Sequence, residues 1–387
     1  MKSTIWSHLD TLSPRLKEIA FAIGNRPELG HQEFFAADLL SQELEQHGFA
    51  VTRNVLALPT AFIGEYQSAK PGPIIAYLCE YDALPELGHA CGHHLICTMS
   101  LAAAIALKPA VDLHGGTIRV YGTPAEETSG AKVPMAAAGL FDDVDAALMA
   151  HPYYCYEASG TSLAMDAIQY EFFGKSAHAA ASPHEGINAL DAVLQLFNAT
   201  AMLRQQSRSD ARIHGIIADG GKAPNIIPDY TCARFYVRSA DRAYTAQLAQ
   251  RVNACAEGAA IQTGCTLKTS AYELSYDELR TNEALSEVFN HNLGELGIQE
   301  SEITHGKDNG SIDLGNVSLR CPAIHPYVKV CDEPYRLHTP EFRDSVLLDK
   351  AIDYMMIGAK ALAGTGVDLL SNKSTLLSIR EQFINSQ

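Results

Sequence analysis

Three short apolar runs constrain this chain more than any other feature: residues 73–79 (PIIAYLC), 117–121 (TIRVY) and 145–150 (DAALMA), each bounded by turn residues. They are too short for helices and too evenly apolar for half-exposed strands, so each reads as a strand covered on both faces. Stretches of helical texture separate them, at residues 99–107 and 131–138. Strands that alternate with helices predict a mostly parallel, doubly wound sheet. Helices are also expected before the first run, over residues 1–25 and 34–47. Another is expected near the end, over 345–362, and the polar last ~20 residues are expected to pack loosely.

A different texture interrupts this pattern. It begins near Ala164, where the run AIQYEFFG reads as a strand. Residues 187–206 read as an amphipathic helix, and 212–218 and 229–237 as two strands. A helix over 244–263 and a strand over 265–272 follow. That β-α-β-β-α-β order is the split, ferredoxin-like arrangement. The expected division is therefore a discontinuous outer domain, 1–163 with 278–387, and an inserted domain, 164–277.

The bulk composition excludes some partners. Of 387 residues, 29 are basic and 45 acidic, a formal net charge of -16. That average field repels a phosphate backbone, so neither nucleic acid nor an anionic membrane is an expected partner. No run reaches the roughly eighteen apolar residues of a membrane span. The nine cysteines show no paired spacing, which reads as reduced thiols in a cytoplasmic protein.

Residues able to bind metals follow the apolar runs. After the first comes EYDALPELGHACGHHL, with Asp82, His89, Cys91, His93 and His94. After the second comes GTPAEETSGA, with Glu126 and Glu127. His151 follows the third, and His325 and His338 stand late in the chain. In open α/β sheets ligands sit outside the carboxyl ends of the strands. Singly, each residue is ordinary: most histidines pack or face water, and a buried cysteine is a small hydrophobe. Together they suit a pair of divalent cations, which need a bridging anion and several terminal ligands. Cys91 can bridge as a thiolate, and His93, His151 and His338 can supply nitrogens. One of the adjacent glutamates can bind metal while the other stays free as a general base. Asp82 can hold a ligand imidazole in one tautomer.

The segments PELGHQEFFA, EYDALPELGHACGHH, GTPAEE, GKSAHAA, NIIPD, GSIDLGNVS and HTPEF, in this order over nearly the whole chain, resemble metallopeptidase family M20. They look most like its amidohydrolase branch, which holds p-aminobenzoyl-glutamate hydrolase and related dipeptidases. The resemblance implies an α/β fold: a catalytic domain with a doubly wound mixed sheet and an inserted ferredoxin-like α+β domain that serves as lid and dimerisation module. It implies Cys91, His93, Glu127, His151 and His338 as ligands of two zinc or manganese ions, Glu126 as general base and Asp82 as support for a ligand. In the inserted domain it implies His178 as a donor to the reacting oxyanion, with Asn225 and Arg238 on the substrate carboxylate. A homodimer is implied too. The chain departs from the branch at His94, where Asn is usual, at Glu86, where Gly is usual, and at Ile312, where Thr is usual. These departures bear on substrate choice.

The expected activity is hydrolysis of an amide bond in a small amino-acid conjugate, either an N-acyl or aminobenzoyl amino acid or a dipeptide. Two other readings compete. A non-catalytic or partner-dependent binding subunit would need no free Glu126. A thiol hydrolase using Cys91 would leave Glu126, Glu127 and His151 without a purpose.

Overall fold

The computed structural model describes residues 1–306 and 310–386. It divides into two compact units, Met1–Thr161 with Leu279–Gln387, and Ser162–Glu278.

The outer unit opens with helices α1 (Lys2–Gly24) and α2 (Phe34–Gln46). Strands β1 (Ala50–Arg53), β2 (Phe62–Gln67) and β3 (Ile74–Cys79), helix α3 (His93–His114) and β4 (Thr117–Gly122) follow. Next come α4 (Lys132–Ala137), β5 (Ala146–Leu148), β6 (His151–Tyr153) and β7 (Tyr156–Glu157). The inserted unit holds β8 (Ala164–Phe173), α5 (Ala189–Leu203), β9 (Arg212–Asp219), β10 (Tyr230–Ser239), α6 (Arg242–Thr263) and β11 (Thr266–Ala271). The outer unit then resumes with α7 (Glu283–Glu295), β12 (Ile303–Thr304), α8 (Leu314–Ser318), β13 (Ala323–Ile324) and β14 (Tyr327–Lys329). Helices α9 (Pro340–Ser345), α10 (Asp349–Ser371) and α11 (Lys373–Asn385) end it.

The main sheet runs β1-β2-β4-β3-β5-β13. Its β4, β3, β5 and β13 pair in parallel, while β1 and β2 make an antiparallel edge. The fold class is the mixed α/β one expected. Alternation along β3 shows why both faces are apolar: Ile75, Tyr77 and Cys79 join a core with α1, α3 and α10, whereas Ala76 and Leu78 join one with α4 and α8. Each fully buried leucine or isoleucine there contributes about 1.5–3 kcal/mol. In the inserted unit the antiparallel order β11-β8-β10-β9 with two helices is the ferredoxin-like topology. Asn188 and Asp241 cap its helices through their side chains.

Four local expectations are corrected. Helix α3 is far longer than residues 99–107. Its burial on nearly every side erases helical periodicity, and its first residues are His93 and His94. It is long and apolar enough to cross a membrane by length and composition, yet 89% of its apolar window is buried in the unit. The run at 145–150 ends at Leu148, and His151 opens a separate short strand that pairs with β14. The helix expected at 345–362 is α10, which starts at Asp349 and runs on to Ser371; Ser345 instead ends the separate short helix α9, which Thr339 caps with Pro340 in its first turn. The polar C-terminus is helix α11, capped by Asn372 and anchored by buried Leu376 and Ile379 and by the Arg380–Asp145 ion pair.

Candidate metal centre

The loop after β3 turns back into α3 through Gly92, whose φ is +77. A Cβ there would lie 2.5 Å from Pro152 Cγ, so only glycine allows the turn that presents both Cys91 and His93. His93 donates from Nδ1 to Asp82 Oδ1 at 3.0 Å, which leaves Nε2 as its open lone pair. The other oxygen of Asp82 accepts the Glu127 backbone N–H at 2.9 Å. One carboxylate thus ties the first loop to the second.

The loop after β4 carries Glu126 and Glu127. Glu127 Oε1 lies 3.3 Å from His338 Nε2 and 3.7 Å from His93 Nε2. Glu126 Oε2 is 4.0 Å from His93 Nε2. Burial, with Glu80, Glu127 and Asp313 nearby, holds the Glu126 carboxyl well above the usual carboxylate range. Burial acts the same way on Glu127, but the His338 hydrogen bond and His93 outweigh it and draw that carboxyl down.

His151 donates from Nδ1 to the Pro152 carbonyl at 2.8 Å, and its Nε2 lies 3.4 Å from Cys91 Sγ. Burial, then His325 and His93, push this imidazole down to about 3, so it stays neutral and able to bind metal. His338, at φ +62, is half-exposed, and its backbone N–H bonds the Ala90 carbonyl at 2.9 Å.

Two donor triads result, Cys91–His93–His151 and Cys91–Glu127–His338, each with ligand atoms within 4.8 Å of one another. Cys91 belongs to both. Burial and Glu127 lift its thiol well above the ordinary range, so a thiolate here needs a neighbouring cation. Sulfur, imidazole nitrogen and carboxylate oxygen, arranged around one shared thiol, fit a pair of divalent ions. The same raised thiol is unfavourable for a free cysteine nucleophile.

A third triad, Glu80–His93–Glu126, escapes the sequence reading. Glu80 Oε1 and Asp313 Oδ1 each accept from Lys132 Nζ at 2.6 Å, and this lysine is fully buried. Glu80 stands in view directly after β3, but nothing in the sequence marks Lys132 as internal. Other candidates lie elsewhere. His325 is buried, its ring 5.3 Å from that of His151, and it belongs to none of the triads. His94 donates to the Val346 carbonyl at 3.1 Å and fills space against Gly24. Its neighbour His89 is buried, with its ring 5.1 Å from that of His94. Glu86 is exposed at φ +61, a conformation that a glycine would adopt freely.

In the inserted unit, His178 and Asn225 are exposed on neighbouring segments joined by the Ala179 N–H to Asn225 carbonyl bond at 3.0 Å. His178 Nδ1 accepts from the backbone of Ala180 and Ala181. Arg238 lies on β10 with its guanidinium 5.0 Å from the centre of the Tyr236 ring.

Known proteins resemble this chain in sequence and in fold. Residues 165–263 match the family model described as the peptidase dimerisation domain of M20. The Xaa-Arg dipeptidase of Mus musculus is 35% identical over 398 residues, covering 99% of this chain and 92% of that protein. A subunit of the p-aminobenzoyl-glutamate hydrolase of Escherichia coli is 36% identical, covering 74% of this chain and 63% of that protein. A dinuclear metal binding peptidase of the M20 family from Bacillus subtilis superposes with a TM-score of 0.70 at 20% identity, over 93% of this chain and 99% of that one. A near-full-length relative at this identity, the matching dimerisation domain and the shared fold show that the chain is an enzyme of the M20 metallopeptidase family, in its amidohydrolase and dipeptidase branch.

Proposed function

We propose that this enzyme hydrolyses the amide bond of a small amino-acid conjugate, foremost a dipeptide. The observation that carries the reading is the pair of donor triads sharing Cys91, with the part-buried Glu126 carboxyl beside them. Cys91, His93 and His151 would hold one divalent ion, and Cys91, Glu127 and His338 the other, as zinc or manganese. Such ions, when bound, polarise a carbonyl and lower the pKa of water. Glu126 takes the proton from the attacking water and hands it to the leaving amine. Asp82 keeps His93 in the tautomer that leaves Nε2 open.

The dipeptide reading is favoured over an aminobenzoyl conjugate because likeness to the Xaa-Arg dipeptidase spans 99% of the chain, against 74% for the aminobenzoyl-glutamate hydrolase. In the inserted unit, His178 is proposed as a donor to the oxyanion, and Asn225 and Arg238 as contacts of the substrate carboxylate. The match to a dimerisation domain supports a homodimer, and nine free thiols suit a cytoplasmic setting.

A panel of dipeptides and N-acyl or aminobenzoyl amino acids tests the reading. Dipeptides ending in arginine or lysine are expected to give kcat/KM at least about tenfold above aminobenzoyl-glutamate, a difference of roughly 1.4 kcal/mol in transition-state binding. Equal or inverted values would move the substrate to the acyl-conjugate class.

A further inference from the structure

The segment PELGHQE, residues 27–33, carries part of the family resemblance without a role. In the structure it lies against the loop that bears Glu126 and Glu127. A Cβ on Gly30 would meet Thr128 Oγ1 at 2.6 Å and the Ala125 Cβ at 2.9 Å. His31 Nε2 is 2.7 Å from Ser129 Oγ. The Glu28 carbonyl accepts the N–H of Ala83, beside Asp82, at 2.9 Å, while its carboxylate caps α2 through Phe35 and Ala36.

The centre of this contact is Glu33, which is fully buried. It precedes α2, yet its side chain makes no capping bond to that helix. Instead Oε1 accepts the Ala125 N–H at 2.8 Å, and Oε2 accepts the Thr60 hydroxyl at 2.9 Å. A buried carboxyl is costly for packing alone, where an apolar residue would serve better. Burial and then Asp82 lift it to about 7, which underlines that cost.

Ala125 explains what the cost achieves. Its φ is +64, a conformation that an L-residue keeps only when its surroundings hold it there. The kink falls directly before Glu126 and Glu127. After it the chain closes a tight turn, with the N–H groups of Thr128 and Gly130 on the Ala125 carbonyl at 3.2 and 2.7 Å. We propose that Glu33 is a positioning residue of the hydrolytic centre: its carboxyl holds Ala125 in the left-handed kink that sets Glu126 and Glu127 in their separate places. The proposal rests on the reading of Glu126 as base and Glu127 as ligand.

The test uses four full-length chains: wild type, Glu33→Ala, Glu33→Gln and the double variant Glu33→Ala with Ala125→Gly. Each is assayed for kcat, KM and zinc affinity by competition with a chelator. Glu33→Ala is expected to lose kcat by about 10²-fold, the usual effect of displacing a reacting group by an ångström. KM should stay within about threefold, because substrate contacts are untouched. Zinc affinity should fall about tenfold or more, as when an outer partner of a ligand is removed. Glu33→Gln can still accept from Ala125 and donate to Thr60, and should remain near wild type. Glycine adopts φ +64 without help, so the double variant should recover most of the lost kcat and affinity.

Recovery by Ala125→Gly is the outcome that a merely structural Glu33 would not produce. If wild type is active and binds zinc but Glu33→Ala matches it, or if glycine restores nothing, the brace is overturned. A wild type without zinc affinity or hydrolysis would instead overturn the functional reading beneath it. Should Glu33→Ala fail to fold, Glu33→Asp, whose shorter side chain cannot reach Ala125, carries the same comparison with and without Ala125→Gly.

Discussion

Glu126→Ala is expected to lower kcat by about 10²–10⁴-fold, the range supplied by a positioned general base, while leaving metal content close to wild type. The expectation follows from position. The two triads that share Cys91 contain Glu127 but not Glu126, so removing Glu126 subtracts no donor from either. Glu126 does belong to the third triad, with Glu80 and His93, but there Glu80 is already committed to Lys132. Relief of repulsion among neighbouring carboxylates should even favour folding slightly. Rates near wild type, with clean metal content, would remove Glu126 from the mechanism.

The second large effect concerns stability. Lys132→Met is expected to destabilise the outer unit by about 3–5 kcal/mol, because it leaves two buried carboxyl groups without their cation. That is a large share of the roughly 5–15 kcal/mol that typically separates folded from unfolded protein. Lys132 is completely buried between Glu80 and Asp313. Burial opposes ionisation of Glu80, but Lys132, His93 and His325 hold its carboxyl down at about 2. Burial prevails at Asp313, which sits at about 6 despite the lysine. Thermal denaturation should show a loss on the order of 10 °C. The neutral set Lys132→Met, Glu80→Gln and Asp313→Asn should regain most of it, since the penalty lies in the unpaired charge and not in the missing contact. A Lys132→Met protein as stable as wild type would show that the triad is not the charge-balanced unit described.

These two residues mark what can and cannot be read from the sequence. Glu126 is legible because it directly follows a recognisable buried strand, beside a second glutamate. Cys91, His93 and His151 are legible for the same reason: each follows an apolar run, and the ends of parallel strands converge. His338 follows no such run: it is legible only as a metal-competent residue type late in the chain, and the resemblance adds its place as a ligand. Lys132 is not legible, because a lysine in a short helix reads as solvent-facing until tertiary contacts supply its partners. Glu33 is hidden differently. Its partner Ala125 lies 92 residues away, and an alanine gives no sign in the sequence that its backbone is left-handed. The full length of α3 is obscured by its own burial, which removes the polar face that periodicity needs.

The central claim is that one thiol and four other side chains hold a pair of cations. Elemental analysis of protein purified without chelators, paired with the Cys91→Ala variant, tests it most directly. The account predicts about two zinc or manganese ions per wild-type chain and loss of both on replacing Cys91, the atom common to the two triads. Wild-type protein without bound metal, or a Cys91→Ala variant that keeps its full complement, would contradict it.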